Sequence, residues 1–251
     1  MSTRKTIPGL IFMFKPVDII CSHPKHLDYP LWRQQIHRDR AMFDRVIVVF
    51  TDMSVNSDER IFIQEAMKHD DVNFMNSERA QSGEDWRNKA VNLALSFSKS
   101  EWVLFTEQDF IITNPQAFWE KINNNIKNRN LDVISFTEGN RPHPAFMLVK
   151  RKYIDKTNKD FGVVPDKHDH FYKFFDDLLH TNAQVGYFSK TDDFYHLNGL
   201  SQNMYLLQTG QKPNFRPEEF KKYLQNCLAV EVPIQPEFNK IALKYINANI
   251  L

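Results

Sequence analysis

Cysteine, glycine and unbalanced charge are all scarce in this sequence, and each scarcity removes a class of protein. The two cysteines, Cys21 and Cys227, stand far apart with no Cys-x-x-Cys pair. That excludes a disulfide framework and a four-thiolate zinc site, and makes a reducing compartment the expectation. Seven glycines in 251 residues leave no collagen-like repeat or glycine-rich linker. The 32 Lys and Arg residues are matched by 31 Asp and Glu, a formal net charge of +1. The chain therefore lacks the overall basic field of a nucleic-acid-binding protein, and no nucleic-acid partner is expected. Long apolar runs are missing too. The longest early one, Ile7 to Phe14, stops at Lys15-Pro16, short of the roughly 20 residues a bilayer span needs. No small-residue cleavage site follows it. The expectation is a cytoplasmic protein with no transmembrane segment, for which peripheral membrane contact stays open.

What is abundant is aromatic mass: 21 Phe, 8 Tyr and 4 Trp, far more than a solvated coil carries. The length suits one large domain or two small ones. Strand-like and helix-like periods alternate along the first half. Val17–Cys21, Arg45–Phe50, Val72–Phe74 and Trp102–Phe105 read as strands, the second a nearly continuous β-branched run suited to burial on both faces. Between them, Tyr29–Phe43, Ser57–Lys68 and Glu84–Phe97 read as helices, the last with Trp86, Ala90, Leu93, Ala94 and Phe97 on one stripe. Asn114-Pro115 supplies a cap and a first-turn residue for the next helix.

The second half predicts strands at Asp132–Phe136 and Ala145–Val149 flanking a loop, Asn140–Pro144, then a helix faced by Phe171, Phe174, Phe175, Leu178 and Leu179. A strand at Gln184–Phe188 follows, and an amphipathic tail from Pro217 to Ala229 turns Phe220, Leu224, Cys227 and Leu228 inward. This order predicts an α/β domain, a central mostly parallel mixed sheet flanked by helices. Residues 1–210 would form it, with a helical extension, 211–251, packed on it.

In an open α/β sheet, ligands bind beyond the carboxyl ends of the strands. The polar residues there are Ser22 and His23, Thr51 and Asp52, and Thr106, Glu107, Gln108 and Asp109. Two acids separated by one residue after the buried strand Trp102–Phe105 offer hard oxygen ligands on one side. That arrangement suits a divalent cation that also bridges phosphate oxygens.

On these residues the chain resembles the GT-A type of nucleotide-sugar glycosyltransferase, family 2 in particular, whose strand ends in a DxD motif. Glu107-Gln108-Asp109 stands at the DxD, with Glu in place of the first Asp, and Arg87-Asn88 stands on the preceding helix. The resemblance runs over about residues 17–200 and implies a single Rossmann-like domain. It further implies a divalent cation, Mn²⁺ or Mg²⁺, a nucleotide diphosphate-sugar donor, and a glycan, lipid or protein acceptor. Ser22, His23, Thr51, Asp52, Arg87, Asn88, Glu107 and Gln108 would hold the donor, and Glu107, Asp109 and His196 the metal. Asp169, in His168-Asp169-His170 before the Phe-rich helix, would be the base of an inverting reaction; Asp166, Asp176 and Asp177 are its rivals. Arg141-Pro142-His143-Pro144 would form an acceptor-side loop without the family's usual glycine. Arg87, Lys150 and Arg151 would neutralise the departing diphosphate, and Asp192 and Asp193 compete with His196.

Other classes fit less well. Cys21-Ser22-His23-Pro24 is similar to the His-Pro-Asp-Asp start of zinc-dependent sugar deacetylases, but Lys25-His26 replace the two acids. There is no HExxH, no GxxxxGK[ST] and no GxGxxG after a strand. A metal-dependent hydrolase, a P-loop kinase and a dinucleotide dehydrogenase therefore lack their motifs. A non-catalytic carbohydrate- or nucleotide-binding protein that keeps the fold is the alternative from another class.

Overall fold

The computed structural model describes residues 17–23, 30–39, 42–50, 73–76, 86–138, 141–162, 171–189, 191–197, 199–200, 209–212 and 217–229, with 203, 206, 214 and 243. Seven strands form one sheet in the order β3-β2-β1-β4-β7-β6-β8. They are β1 (Val17–His23), β2 (Phe43–Phe50), β3 (Asn73–Asn76), β4 (Trp102–Thr106), β6 (Val133–Glu138), β7 (Arg141–Lys150) and β8 (Val185–Phe188). Strands β1 to β4 are mutually parallel, β7 runs antiparallel to both its neighbours, and β6 and β8 pair in parallel. The sheet is thus mixed, with its parallel half at the N-terminal side. A separate ribbon pairs β5 (Phe110–Ile112) with β9 (Phe194–His196) antiparallel.

Side chains alternate across the central strands, as a period of two requires. Trp102 and Leu104 of β4 join one apolar core, Val103 and Phe105 the other. The first core is closed by α1 (Pro30–Asp39), α3 (Pro115–Arg129), α6 (Pro217–Leu228) and the ribbon, through Trp32, Ile36, Phe118, Trp119, Phe220 and Leu224. The second is closed by α2 (Trp86–Phe97), the short α4 (Arg151–Ile154) and α5 (Tyr172–Leu179). Helices on both faces explain why Val46–Val49 of β2 and Trp102–Phe105 of β4 carry no polar side chain. Helix α3 opens as its sequence dictates: the Asn114 side chain accepts the Ala117 N–H, with Pro115 in the first turn. Helix α6 buries Tyr223 and Cys227 beside Phe220 and Leu224, with Leu228 partly buried.

Several boundaries differ from the sequence reading. Helix α1 stops at Asp39, and Phe43 instead begins β2, its ring packed edge-on against Trp119. On α2 the buried face is Ala90, Val91, Ala94 and Leu95, while Phe97 is exposed. Small side chains let that helix lie close against β1 and β2, which turns Phe97 outward. On α5, Leu179 is exposed. The expected loop at 140–144 is strand from Arg141 onward. The pairing of β6 with β7 slips between Ser135 and Phe136, from Met147 to His143, so residues 144–146 bulge. Pro144 has no N–H to give a ladder, which places the irregularity there. No helix among the described residues is long and apolar enough to cross a membrane.

Candidate active site at the carboxyl end of β4

The register makes the carboxyl ends of β1, β2 and β4 nearly flush. Cys21 pairs with Thr106, and His23 with Phe50. Ser22 and His23 thus close β1 at the rim where β4 ends; their side chains lie outside the described residues, as do Thr51, Asp52, Asp166 and Asp169.

Beyond Thr106 the chain makes a tight turn. The Glu107 N–H donates to the Ala145 carbonyl at 3.2 Å, and the Phe110 N–H to the Glu107 carbonyl at 3.3 Å. The turn delivers both acids to one place and feeds directly into β5. Ribbon pairing then brings His196 opposite Phe110, and the Leu197 N–H reaches the Asp109 carbonyl at 3.0 Å. Two runs of three residues thus place Asp109 and His196 at the same end of the ribbon. Phe110 and Phe194 stack with centroids 4.7 Å apart beneath it.

The ribbon is held from its other side by α1. The buried Gln35 donates to the Phe110 carbonyl at 3.4 Å and accepts the Ile112 N–H at 2.7 Å. One carboxamide thus makes two bonds a neighbouring strand would have made. Arg38 adds a bond to the Ile112 carbonyl at 3.1 Å.

His196 Nε2 lies 3.5 Å from Asp109 Oδ1 and 3.8 Å from Glu107 Oε2, with only 4% of its side chain exposed. Those contacts are ion-pair distances, and Asp109 Oδ1, itself buried, has no hydrogen-bond partner among the described residues. A buried carboxylate oxygen without a donor is costly unless something else meets it. Burial pushes the Asp109 carboxyl above its ordinary value; His196 pulls back and Glu107 reinforces the rise. Burial also opposes charge on His196, but the Asp109 and Glu107 carboxylates prevail and raise the imidazole to about 10. Two acids and an imidazole at these distances form a proton-holding cluster.

A residue the sequence reading assigned elsewhere joins the group. His143, expected on an acceptor loop, has a ligand-capable atom within 4.8 Å of those of Glu107 and His196. The bulge in β7 is what redirects it, as bulges beside functional sites do. Its ring lies 4.6 Å, centroid to centroid, from that of His196, and Phe136 walls both. The signal in the sequence was the alternation Pro142-His143-Pro144, which keeps a strand direction while denying it ladder donors.

Other candidates lie apart from this cluster or serve the scaffold. Gln108 is buried between the two acids. Asn88 uses its carboxamide oxygen to accept from the Phe161 N–H and from Asn92, both at 3.0 Å, while the Arg87 side chain lies outside the described residues. Lys150 and Arg151 are placed wrongly for a diphosphate at this rim. Because β7 is antiparallel to β4, Lys150 pairs with Trp102, at the opposite end of the sheet. There Lys150 bonds Asp132 at 2.7 Å, and Arg151 bonds Ser98 and the Ser100 carbonyl. Asp193 pairs with Lys121 at 2.6 Å, and Asp177 accepts the Asn158 N–H at 2.9 Å. The Asp192 carbonyl accepts from Thr113, and Asp176 is exposed.

No protein-family model matches the sequence, and no curated protein does. Solved structures do resemble it in shape. S. aureus TarS 1–349 superposes with a TM-score of 0.52 at 13% identity, over 93% of this chain and 71% of that one. The mannosyltransferase PcManGT of Pyrobaculum calidifontis, in complex with GDP-Man and Mn²⁺, gives 0.50 at 12% identity, over 96% and 74%. Glucosyl-3-phosphoglycerate synthase of Mycobacterium tuberculosis gives 0.51 at 9% identity, over 91% and 88%. At such identities a likeness establishes architecture alone: this chain has a GT-A-type fold.

Proposed function

We propose that the protein transfers a sugar from a nucleotide diphosphate-sugar to an acceptor hydroxyl, with a divalent cation held by Glu107, Asp109 and His196. The observation that carries this reading is the convergence of those three side chains at the carboxyl end of β4, with an Asp109 oxygen buried and without a hydrogen-bond partner among the described residues. Two carboxylates and one imidazole fit a dication of the Mn²⁺ or Mg²⁺ kind, and the buried oxygen is the group such an ion would satisfy. When bound, the ion would offset the negative charge that develops on the leaving diphosphate.

The rest of the work falls to the chain. Asp52 and Thr51, with Ser22 and His23, are assigned to the nucleoside, since β1 and β2 end at this rim; Arg87 and Gln108 are assigned to the donor. In an inverting reaction the acceptor oxygen attacks the anomeric carbon and gives its proton to the Asp169 carboxylate. The bond from that carbon to the diphosphate oxygen breaks, and the diphosphate leaves with the electron pair. The aromatic wall of Phe136, Phe110 and Phe194 keeps the cluster in a low-dielectric setting, where fixed charges act strongly. The C-terminal residues 211–251 are assigned as an extension of the same domain, because α6 shares its core.

A thermal-shift panel of UDP and GDP, each with and without Mn²⁺, tests the reading, since a bound ligand raises stability by mass action. A rise that needs both nucleotide and metal is expected, together with slow hydrolysis of a UDP-sugar or GDP-sugar. Sugar binding that survives Asp109→Ala, with no turnover of any donor, would make the protein a binding module instead.

A further inference from the structure

The second histidine of the cluster invites assignment as another metal ligand, but its backbone partner argues otherwise. The Ala145 N–H points at His143 Nδ1 from 3.1 Å, inside the protein. An amide N–H can only donate, so Nδ1 must present its lone pair, and the single ring proton then resides on Nε2. A metal-ligating histidine shows the reverse arrangement: one nitrogen gives its lone pair to the ion while the other donates its N–H to an acceptor. Ala145 enforces this geometry from both of its backbone groups. Its carbonyl accepts from the Glu107 N–H at 3.2 Å and from Thr106 Oγ1 at 3.1 Å, while its N–H fixes the His143 ring. One residue of the β7 bulge therefore sets the first acid and His143 together.

We infer that His143 enters the site as a neutral Nε2–H hydrogen-bond donor to an anionic oxygen, a diphosphate oxygen of the bound nucleotide, and not as a metal ligand. This rests on the transferase reading above for the identity of the anion, but not for the tautomer. With His143 a donor, the cluster keeps two carboxylates and one imidazole for the ion and adds one N–H for the group that the ion receives. A donor to a charged oxygen acts far more strongly there than in water, because the site is buried.

Two measurements test it. Long-range ¹H–¹⁵N spectra of the metal-free protein, with the His143 signals identified by their loss in His143→Gln, report the tautomer directly. An unprotonated Nδ1 and a protonated Nε2 are expected; the opposite pattern overturns the inference, whether or not any nucleotide binds. Calorimetric titrations then separate ligand from donor. Mn²⁺ alone should bind His143→Ala and His143→Gln within about threefold of wild type, while UDP or GDP added at saturating Mn²⁺ should weaken about tenfold in His143→Ala. His143→Gln, whose amide still donates, should recover part of that loss. A tenfold or larger loss of Mn²⁺ affinity in either variant, or nucleotide affinity equal to wild type in His143→Ala, contradicts the inference. If wild type binds neither Mn²⁺ nor nucleotide, the transferase reading fails, and the tautomer spectra still decide whether His143 is a donor.

Discussion

The two ends of the β4–β7 strand pair both carry buried charge, and they treat it in opposite ways. At the amino end of β4, Asp132 receives the Lys150 ammonium at 2.7 Å, the Tyr153 hydroxyl at 2.9 Å and the Gln184 N–H at 3.2 Å. Burial opposes its charge, but those donors prevail and hold the carboxyl below its ordinary value. At the carboxyl end, Asp109 has a buried oxygen with no hydrogen-bond partner among the described residues, and burial holds its carboxyl above that value. The first arrangement is complete and stabilises the fold. The second pairs Asp109 only at ion-pair distance with His196 and leaves one oxygen without a donor, a cost that a bound ligand would offset. Among the described residues, Asp132 is met by three donors while Asp109 keeps an oxygen with none.

The sharpest way to break that contrast is to remove each carboxylate in turn. Asp109→Ala should lower donor-sugar turnover by a factor of about 100 to 1,000, yet leave the melting temperature of the metal-free protein unchanged or higher. Asp132→Asn should do the reverse. It should keep Mn²⁺-dependent nucleotide binding while lowering stability by about 2–3 kcal/mol, read by urea unfolding. A destabilised Asp109→Ala beside an unaffected Asp132→Asn would invert the comparison.

Acidity sharpens it further. His196, raised to about 10 by its two carboxylate neighbours, is protonated at neutral pH in the metal-free protein. A cation must displace that proton, so Mn²⁺ affinity should climb with pH, by about tenfold per unit between pH 6 and 8 if one proton leaves. Flat affinity over that range would show that His196 is not displaced. Asp132 works in the other direction and at another pH. Its folded value lies below its unfolded one, so its contribution is present above about pH 4 and is lost as pH falls through the folded value. Asp132→Asn should therefore flatten the acid limb of the stability curve.

The smallest expected effect belongs to Gln35, which acts through β5. Gln35→Ala leaves the Ile112 N–H without its 2.7 Å partner. It should cost about 1–3 kcal/mol of stability and weaken Mn²⁺ binding severalfold, because the ribbon that carries His196 loses its outer edge. Unchanged metal affinity at reduced stability would confine Gln35 to the scaffold.

Much of this was legible in the chain itself, for reasons that differ by residue. Strands β2 and β4 announce themselves because Val46–Val49 and Trp102–Phe105 are buried on both faces and so read as unbroken apolar runs. The acids after β4 stood out because polar residues at strand ends are where an open sheet meets ligands. The ribbon did not stand out: three residues, Phe110–Ile112 or Phe194–His196, are too short to show a period. His143 was hidden by its own prolines, which read locally as a loop although the long strand absorbs them through a bulge. Lys150 and Arg151 were misplaced because only strand direction, which no local pattern encodes, sends them to the far end of the sheet.

Titration of Mn²⁺ followed by electron paramagnetic resonance, on wild type and on Asp109→Ala, tests the central claim most directly. The account predicts one ion per wild-type chain, bound more tightly when UDP or GDP is present and lost in Asp109→Ala. Equal uptake by the two proteins, or no uptake by either, would contradict it.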